Sequence, residues 1–333
     1  MKGGPVNTWV RADWMTAVII GAICWVGAGS RAMAQTVGPG EVIEAVGSGE
    51  INWTTGWIKA GGLGVPPPQA GPSQAKEMAE RAAYIVALRN LAEIVNGVRV
   101  DAETVVENYF VKSDTIKTQV SGFIRGAQKV KTDVEPDGSV RMLVRMPLWG
   151  SDSLITAFSH EKAVRSQKVP SEPPTQGGMT GLVIDARGLG TKPAFFPLLL
   201  DEQGAVVYGP ETVDQSIAEK EGLVEYHTLP KDANLSSLFG DHMSVIRPVR
   251  ITAPPRQGPR PLKIKGFNKA GTLKTNILIS SQDAKKIRED PNLMAALRRS
   301  KVVVVTDPMV GGIQGRLLQE DGLLAAGLVV PRP

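Results

Sequence analysis

The feature that most constrains the fold is an alanine-rich segment, AERAAYIVALRNLAEIVNGVRV, at residues 79–100. Its spacing predicts one long helix that begins with Ser73 as N-cap and runs to Asn96, with Gly97 as the helix-ending residue. Residues at helical spacing are expected to form the buried face: Met78, Ala82, Ile85, Leu88, Ala92 and Val95. Because alanine is small, this helix can lie with its backbone close to a sheet.

Strands are predicted on both sides of this helix. Residues 40–62 alternate around the turn NWTTG, which indicates one or two strands. After the helix, strands are predicted in VRVDAETVVENYFV (98–111) and, as a hairpin turning at PDG, in residues 118–148. A long helix with antiparallel strands is typical of an α+β layer.

A second α+β region is predicted at residues 177–308. It contains a strand in TGLVIDARGLG, a hairpin across DEQG, a short helix, a helix that bends or breaks near Pro291, and a buried central strand in KVVVVTD. We therefore predict an α+β chain of two domains, each with a helix packed on a small, mainly antiparallel sheet.

Proline- and glycine-rich stretches predict the boundaries of these domains. The expected order is a signal peptide, a strand segment with a linker, a helix-on-sheet domain, a linker, the second domain and a tail, at residues 1–34, 35–72, 73–150, 151–176, 177–308 and 309–333.

The N-terminus has the pattern of a secretory signal peptide. Lys2 and Arg11 precede the apolar stretch MTAVIIGAICWVGA, which is shorter than the roughly 20 residues that a membrane-spanning helix needs. Small residues at Ala32 and Ala34 predict cleavage between Ala34 and Gln35, and thus export to the periplasm. An uncleaved anchor is the alternative. Lipidation at Cys24 is not expected, because the residues before it, GAI, lack the leucine of a lipobox.

The charge balance does not favour nucleic acid as a partner. The whole chain has a formal net charge of +5, and the predicted signal peptide removes three basic residues and one acidic residue, which leaves +3. So small an excess does not indicate nucleic-acid binding.

The first region resembles a family of bacterial envelope proteins. The pattern consists of Arg89, Asn90, Leu91, Glu93, Gly97, Val100, Asp114, Ile116, Gly126, Ala127, Asp137 and Gly138. It resembles the Lpp-twenty type lipoproteins and, more loosely, the N-terminal domain of the flagellar assembly protein FlgT, over residues 42–148. The resemblance implies a helix on a small antiparallel sheet and an exported, often outer-membrane-associated location. It carries no catalytic residue, and the missing lipobox departs from the family's lipid anchoring.

No catalytic motif is found in the sequence. HExxH, GxSxG, CxxC and the phosphate-binding GxxxxGK[ST] are all missing. The histidines at 160, 227 and 242 are scattered, and Asp201 is interpreted as a turn residue. Asp185, a carboxylate inside an apolar strand, is the acid that merits inspection. We predict no catalytic residue, no cofactor and no metal.

Two groups of residues are candidates for binding. Trp53 and Trp57 flank a glycine turn and could stack on a sugar or a partner, although core packing is the alternative. Four arginines could contact anionic lipid or glycan phosphate: Arg247, Arg250, Arg256 and Arg260. The alternative is that they belong to a solvated, extended connecting segment.

The sequence thus favours a non-enzymatic, exported envelope protein, a structural or assembly component in the periplasm or at the outer membrane, of the kind found in flagellar rings. Its expected partners are envelope proteins or further copies of itself, with an outer-membrane or glycan surface as a further option. An exported hydrolase that uses Asp185, or a glycan-binding protein, is the alternative.

Overall fold

The structure is a computed structural model, and it describes residues 39–159, 161, 178–239, 243–252 and 273–309. These residues all belong to one compact unit that begins at Gly38. The predicted cleavage site Ala34–Gln35 lies outside the described residues, as do Arg256 and Arg260.

Five antiparallel strands form the first sheet. They are β1 (Ile43–Val46), β2 (Gly49–Asn52), β3 (Trp57–Gly64), β4 (Gln128–Val134) and β5 (Val140–Pro147). Their order in the sheet is β1-β2-β3-β5-β4. The predicted hairpin is confirmed, since β4 pairs with β5 and Gly138 at the turn has a φ of +81°, a conformation that favours glycine.

One long helix, α1 (Pro72–Asn96), packs on β3 and β5. Its N-cap is Gly71, with Pro72 at the first helical position, so the prediction of Ser73 as N-cap is wrong. Proline is favoured there because that position needs no backbone N–H. The length of the helix is as predicted.

The buried face of α1 differs from the predicted one. The buried residues are Ala79, Ala83, Ala87, Leu91, Ile94 and Val95. Met78 is 45% exposed and Ile85 is 52% exposed. Gly62 and Gly64 of β3 explain why α1 buries its alanine face and not the predicted one. A Cβ on Gly64 would lie 1.9 Å from the carbonyl oxygen of Ala79, so the helix backbone rests directly on the strand.

Two helices replace the strands that were predicted between α1 and β4. They are α2 (Val106–Phe110) and α3 (Asp114–Arg125). Ser113 caps α3 by accepting the backbone N–H of Ile116 at 3.3 Å, and Ile116 and Val120 are buried one turn apart. The valines and aromatic residues here suggested strands, but tertiary packing overrides such a weak propensity.

The second region contains a four-stranded parallel sheet. Its strands are β6 (Gly181–Asp185), β9 (Glu225–Thr228), β10 (Met243–Ile246) and β13 (Val302–Thr306). Their order is β10-β6-β13-β9, and all three pairings are parallel. This differs from the mainly antiparallel sheet that was expected. The prediction of a buried central strand at KVVVVTD is confirmed by β13, every residue of which is buried.

Helices occupy the connections between these strands, as parallel pairing requires. They are α4 (Gln215–Glu221), α5 (Leu235–Phe239), α6 (Ser281–Glu289) and α7 (Pro291–Arg298). The predicted break near Pro291 is confirmed. Asp290 caps α7 by accepting the N–H groups of Asn292 and Leu293.

A third sheet has mixed pairing. Its strands are β7 (Leu199–Leu200), β8 (Val206–Tyr208), β11 (Arg250–Thr252) and β12 (Asn276–Leu278), in the order β11-β12-β7-β8. The β7–β8 hairpin across DEQG is as predicted. With its three sheets and seven helices in the described residues, the protein has the predicted α+β class.

The two regions share one continuous core. Trp53 of the first region packs edge-on against Phe195 and Tyr226 of the second, with ring centroids 6.0 and 6.1 Å apart. The backbone N–H groups of Phe195 and Phe196 donate to the carbonyls of Arg99 and Val100. We call this contact surface the seam.

Within the described part of the chain, we find no helix that combines the length and the apolar character needed to cross a membrane.

Candidate functional site

Asp185 lies at the carboxyl end of β6, the edge of a parallel sheet where ligands commonly bind. Arg187 donates two hydrogen bonds to it, from Nε to Oδ1 at 2.6 Å and from Nη2 to Oδ2 at 2.9 Å. The two side chains are only 8% and 9% exposed. A second guanidinium also lies near Asp185. It belongs to Arg247, the residue after β10, and its Nε is 3.7 Å from Asp185 Oδ2.

The electrostatics of this pair hold Asp185 in its ionised form. Burial raises the pKa of the carboxyl, but the hydrogen bonds and positive charge of Arg187 outweigh burial, so the pKa lies below its usual value. In return, the hydrogen bond with Asp185 raises the pKa of Arg187, and Asp232 and Asp307 add to that effect. A carboxylate so paired is a weak general base and cannot serve as a general acid near neutral pH.

Trp53 does not form a sugar-stacking platform. It has no exposed surface, and its Nε1 donates to Glu44 Oε2 at 3.1 Å. Trp57 is half-buried beneath Arg145, whose Cζ is 4.0 Å from the ring centroid. The alternative reading, core packing, is thus correct for Trp53, because its ring fills the seam.

Two of the four predicted arginines lie in the described part of the chain: Arg247 directly follows β10, and Arg250 is in β11. The side chain of Arg247 is 83% exposed and reaches back to Asp185, a contact that the sequence did not predict. Arg250 begins β11.

The predicted role of Asp201 in the hairpin turn is confirmed. Its Oδ1 accepts the backbone N–H groups of Gln203 and Ala205 at 3.1 and 2.8 Å. His227 is the histidine that the structure describes, and its Nε2 lies 2.7 Å from Glu225 Oε1. No cluster of three or more potential metal ligands occurs within the described ranges.

A pocket of about 300 Å³ opens at the seam, beside β8. We call it the acidic pocket, because its lining residues in the described part of the chain include three acidic residues and no basic one. Its lining residues are Asp101, Ala102, Glu103, Phe196, Leu198, Val206, Gly209, Pro210, Glu211 and Asn276. Buried Phe196 and Pro210 give it an apolar wall.

Local hydrogen bonds hold the two sides of the acidic pocket in place. Asp101 Oδ1 accepts the N–H groups of Glu103 and Thr104, both at 2.8 Å, which fixes the loop that follows α1. The carbonyl of Ala102 accepts the N–H of Leu273 at 3.1 Å, which ties this loop to the segment leading into β12.

Asn276 lines the acidic pocket and carries a buried donor without a hydrogen-bond partner. It is 1% exposed, and its Oδ1 accepts the N–H of Leu198 at 3.1 Å, which orients the amide. Its Nδ2 then has no hydrogen-bond partner. A buried donor without an acceptor costs free energy, so this atom favours a ligand or water that can accept. The sequence alone does not predict this site, because its two sides, near residues 101 and 276, are far apart in the chain.

An adjoining pocket of about 490 Å³ shares Val206 and Glu211 with the acidic pocket. It is also lined by the exposed Arg298 and by Arg288, whose Nη2 donates to Asp201 Oδ2 at 2.9 Å. Between the two pockets runs β8, an edge strand whose Val206 is 52% exposed. We call the two adjoining pockets together the groove; Asp101 and Glu103 line one of them, Arg288 and Arg298 line the other, and Glu211 lines both.

The second region is similar to a known protein family. A model of the second domain of Treponema pallidum Tp0624 matches residues 181–308. This segment begins at the first residue of β6, ends two residues after β13 and contains the groove apart from residues 101–103. No curated protein matches the chain significantly. The chain is thus similar to that domain over the parallel sheet, the third sheet and their helices.

Proposed function

We propose that the protein is a non-enzymatic, exported component of the bacterial cell envelope, with a structural or assembly role in the periplasm or at the outer membrane. The observation that carries this proposal is the groove beside β8. It combines a strand that lies at the sheet edge among the described strands, acidic and basic lining residues, and apolar residues, which are features by which proteins hold extended segments of partners.

The lowered pKa of Asp185 does not support the hydrolase alternative in the form in which this residue is the general acid. Asp185 is held by Arg187 and Arg247 and has a lowered pKa, which is the reverse of what a catalytic acid needs. The glycan-binding alternative is weakened because Trp53 is fully buried.

The test combines location with contact in the living cell. A photo-crosslinking residue is placed at Val206 on the exposed edge of β8, and a control at Ile85 on the exposed face of α1. We expect the protein in the periplasmic or outer-membrane fraction, and a discrete crosslinked species from position 206 but not from position 85. A cytoplasmic protein would contradict the proposal, and so would ester or amide hydrolysis that is lost in Asp185→Asn.

A further inference from the structure

We propose that the acidic pocket receives the side chain of a lysine or arginine from an extended segment of a partner protein, while Asn276 Nδ2 donates to a backbone carbonyl of that segment. This inference rests on the proposed function, because it names the partner chemistry of the same groove.

The first argument is charge complementarity. The chain as a whole is basic, with 38 Lys and Arg against 33 Asp and Glu, yet the charged residues that line this pocket in the described ranges are all acidic. The carboxylates of Glu103 and Glu211 make no ion pair or hydrogen bond with any residue that the structure describes. Such a pocket attracts a cationic group and repels an acidic one.

The second argument comes from Asn276. Its Nδ2 is a buried donor that needs an acceptor. A bare metal cation among the carboxylates would leave this N–H₂ group unsatisfied, because a cation cannot accept a hydrogen bond. A ligand that fits both features carries a positive charge and a carbonyl or similar oxygen, as a lysine or arginine residue does.

The third argument is the shape of the site. A volume of about 300 Å³ is at the small end for ligand pockets, so it suits a single long side chain. Phe196 and Pro210 offer apolar surface to the methylene stem of such a side chain. β8 has one neighbour, β7, among the described strands, so its other edge can pair with the backbone that carries the side chain.

The test uses three small probes and the purified full chain in ligand-observed NMR titrations. N-acetyl-lysine methylamide carries the charge, the stem and two carbonyls. N-acetyl-norleucine methylamide lacks the charge, and n-butylammonium lacks the carbonyls. We expect the lysine probe to bind at least about fivefold more tightly than either of the others.

Variants locate the binding. Glu103→Gln with Glu211→Gln removes two carboxylates at exposed positions, and should weaken the lysine probe at least about fivefold without lowering the urea midpoint. The matched control, Glu77→Gln with Glu93→Gln on the exposed side of α1, should leave the affinity unchanged.

Three results would overturn the proposal. These are equal binding of the lysine and norleucine probes, equal binding of n-butylammonium, which would assign the pocket to a free small amine, and an affinity unchanged in the glutamine pair. If the crosslink from position 206 persists in the glutamine pair, this inference fails and the proposed function stands. If no crosslink forms although the lysine probe binds as expected, the proposed function fails and the pocket's chemistry stands.

Discussion

At the scale of single residues, Arg99 and Glu44 form a buried ion pair. Arg99 is 7% exposed, makes a two-pronged contact with Glu44, and donates from Nε to the carbonyl of Pro193 at 2.6 Å. Burial raises the pKa of Glu44, but its hydrogen bonds and attraction to Arg99 outweigh burial and lower it. Breaking such a pair is costly, because the partner that remains is a buried charge.

Arg99→Met should therefore lower the free energy of unfolding by about 3–5 kcal/mol. Adding Glu44→Gln should recover part of that loss, because no carboxylate is then left unpaired. Urea unfolding at pH 7 measures both. Lys59→Met, which breaks the more exposed pair with Glu50, is the control and should cost no more than about 1 kcal/mol. A double variant that is no more stable than Arg99→Met would contradict this explanation.

Asp185 makes stability depend on pH. Since its folded-state pKa lies below the ordinary 3.8, its ion pair contributes stability above that pH and loses it as the pH falls through the lowered value. We expect the difference in unfolding free energy between the wild type and Asp185→Asn to be largest near pH 7 and to shrink below about pH 4. Urea titrations from pH 7 to pH 2 measure it. A difference that does not change with pH would show that the ion pair does not stabilise the fold.

At the scale of elements, the contact between α1 and β3 is set by missing side chains. Gly62 and Gly64 leave space for the backbone of the helix, and Ala79 and Ala83 are small enough to fill it. Helical spacing predicted the length of α1, but it placed Met78 and Ile85 inside. The glycines of β3 select the alanine face, and their contact with α1 is visible only in the tertiary structure.

Gly64→Ala should destabilise the protein by about 1–3 kcal/mol or more, because the added Cβ would lie 1.9 Å from the carbonyl oxygen of Ala79. Gly61→Ala is the matched control in the same strand. Its Cβ would meet nothing closer than 3.7 Å, so its cost should be below about 1 kcal/mol. Thermal unfolding compares the two, and equal losses would argue against close helix–strand contact.

At the scale of the whole molecule, the seam makes two sequence regions into one core. Phe195 contacts the rings of Trp53, Phe158 and Phe196, and so links the first sheet to the second region. Cooperative unfolding of both regions follows if this core is the main source of stability.

Phe195→Ala should cost about 3–5 kcal/mol, because it leaves a cavity at the seam. Hydrogen exchange of the backbone amides should show the same loss of protection in β3 as in β13, which belong to the two regions that meet at the seam. Met78→Ala at an exposed position of α1 is the control. Loss of protection in β13 alone would show that the regions unfold separately.

The sequence by itself determined the elements that local signals define: the extent of α1, the turn at Gly138, the break at Pro291 and the buried strand β13. Each depends on neighbouring residues through periodicity, φ preference or a missing N–H.

Only the tertiary structure decided the buried face of α1, the helices α2 and α3, the parallel pairing of β6 with β13 and the acidic pocket. These depend on partners far away in the chain, as Asp101 and Asn276 do. Strand pairing and packing are selected by the free energy of the whole core, and no local pattern encodes that choice.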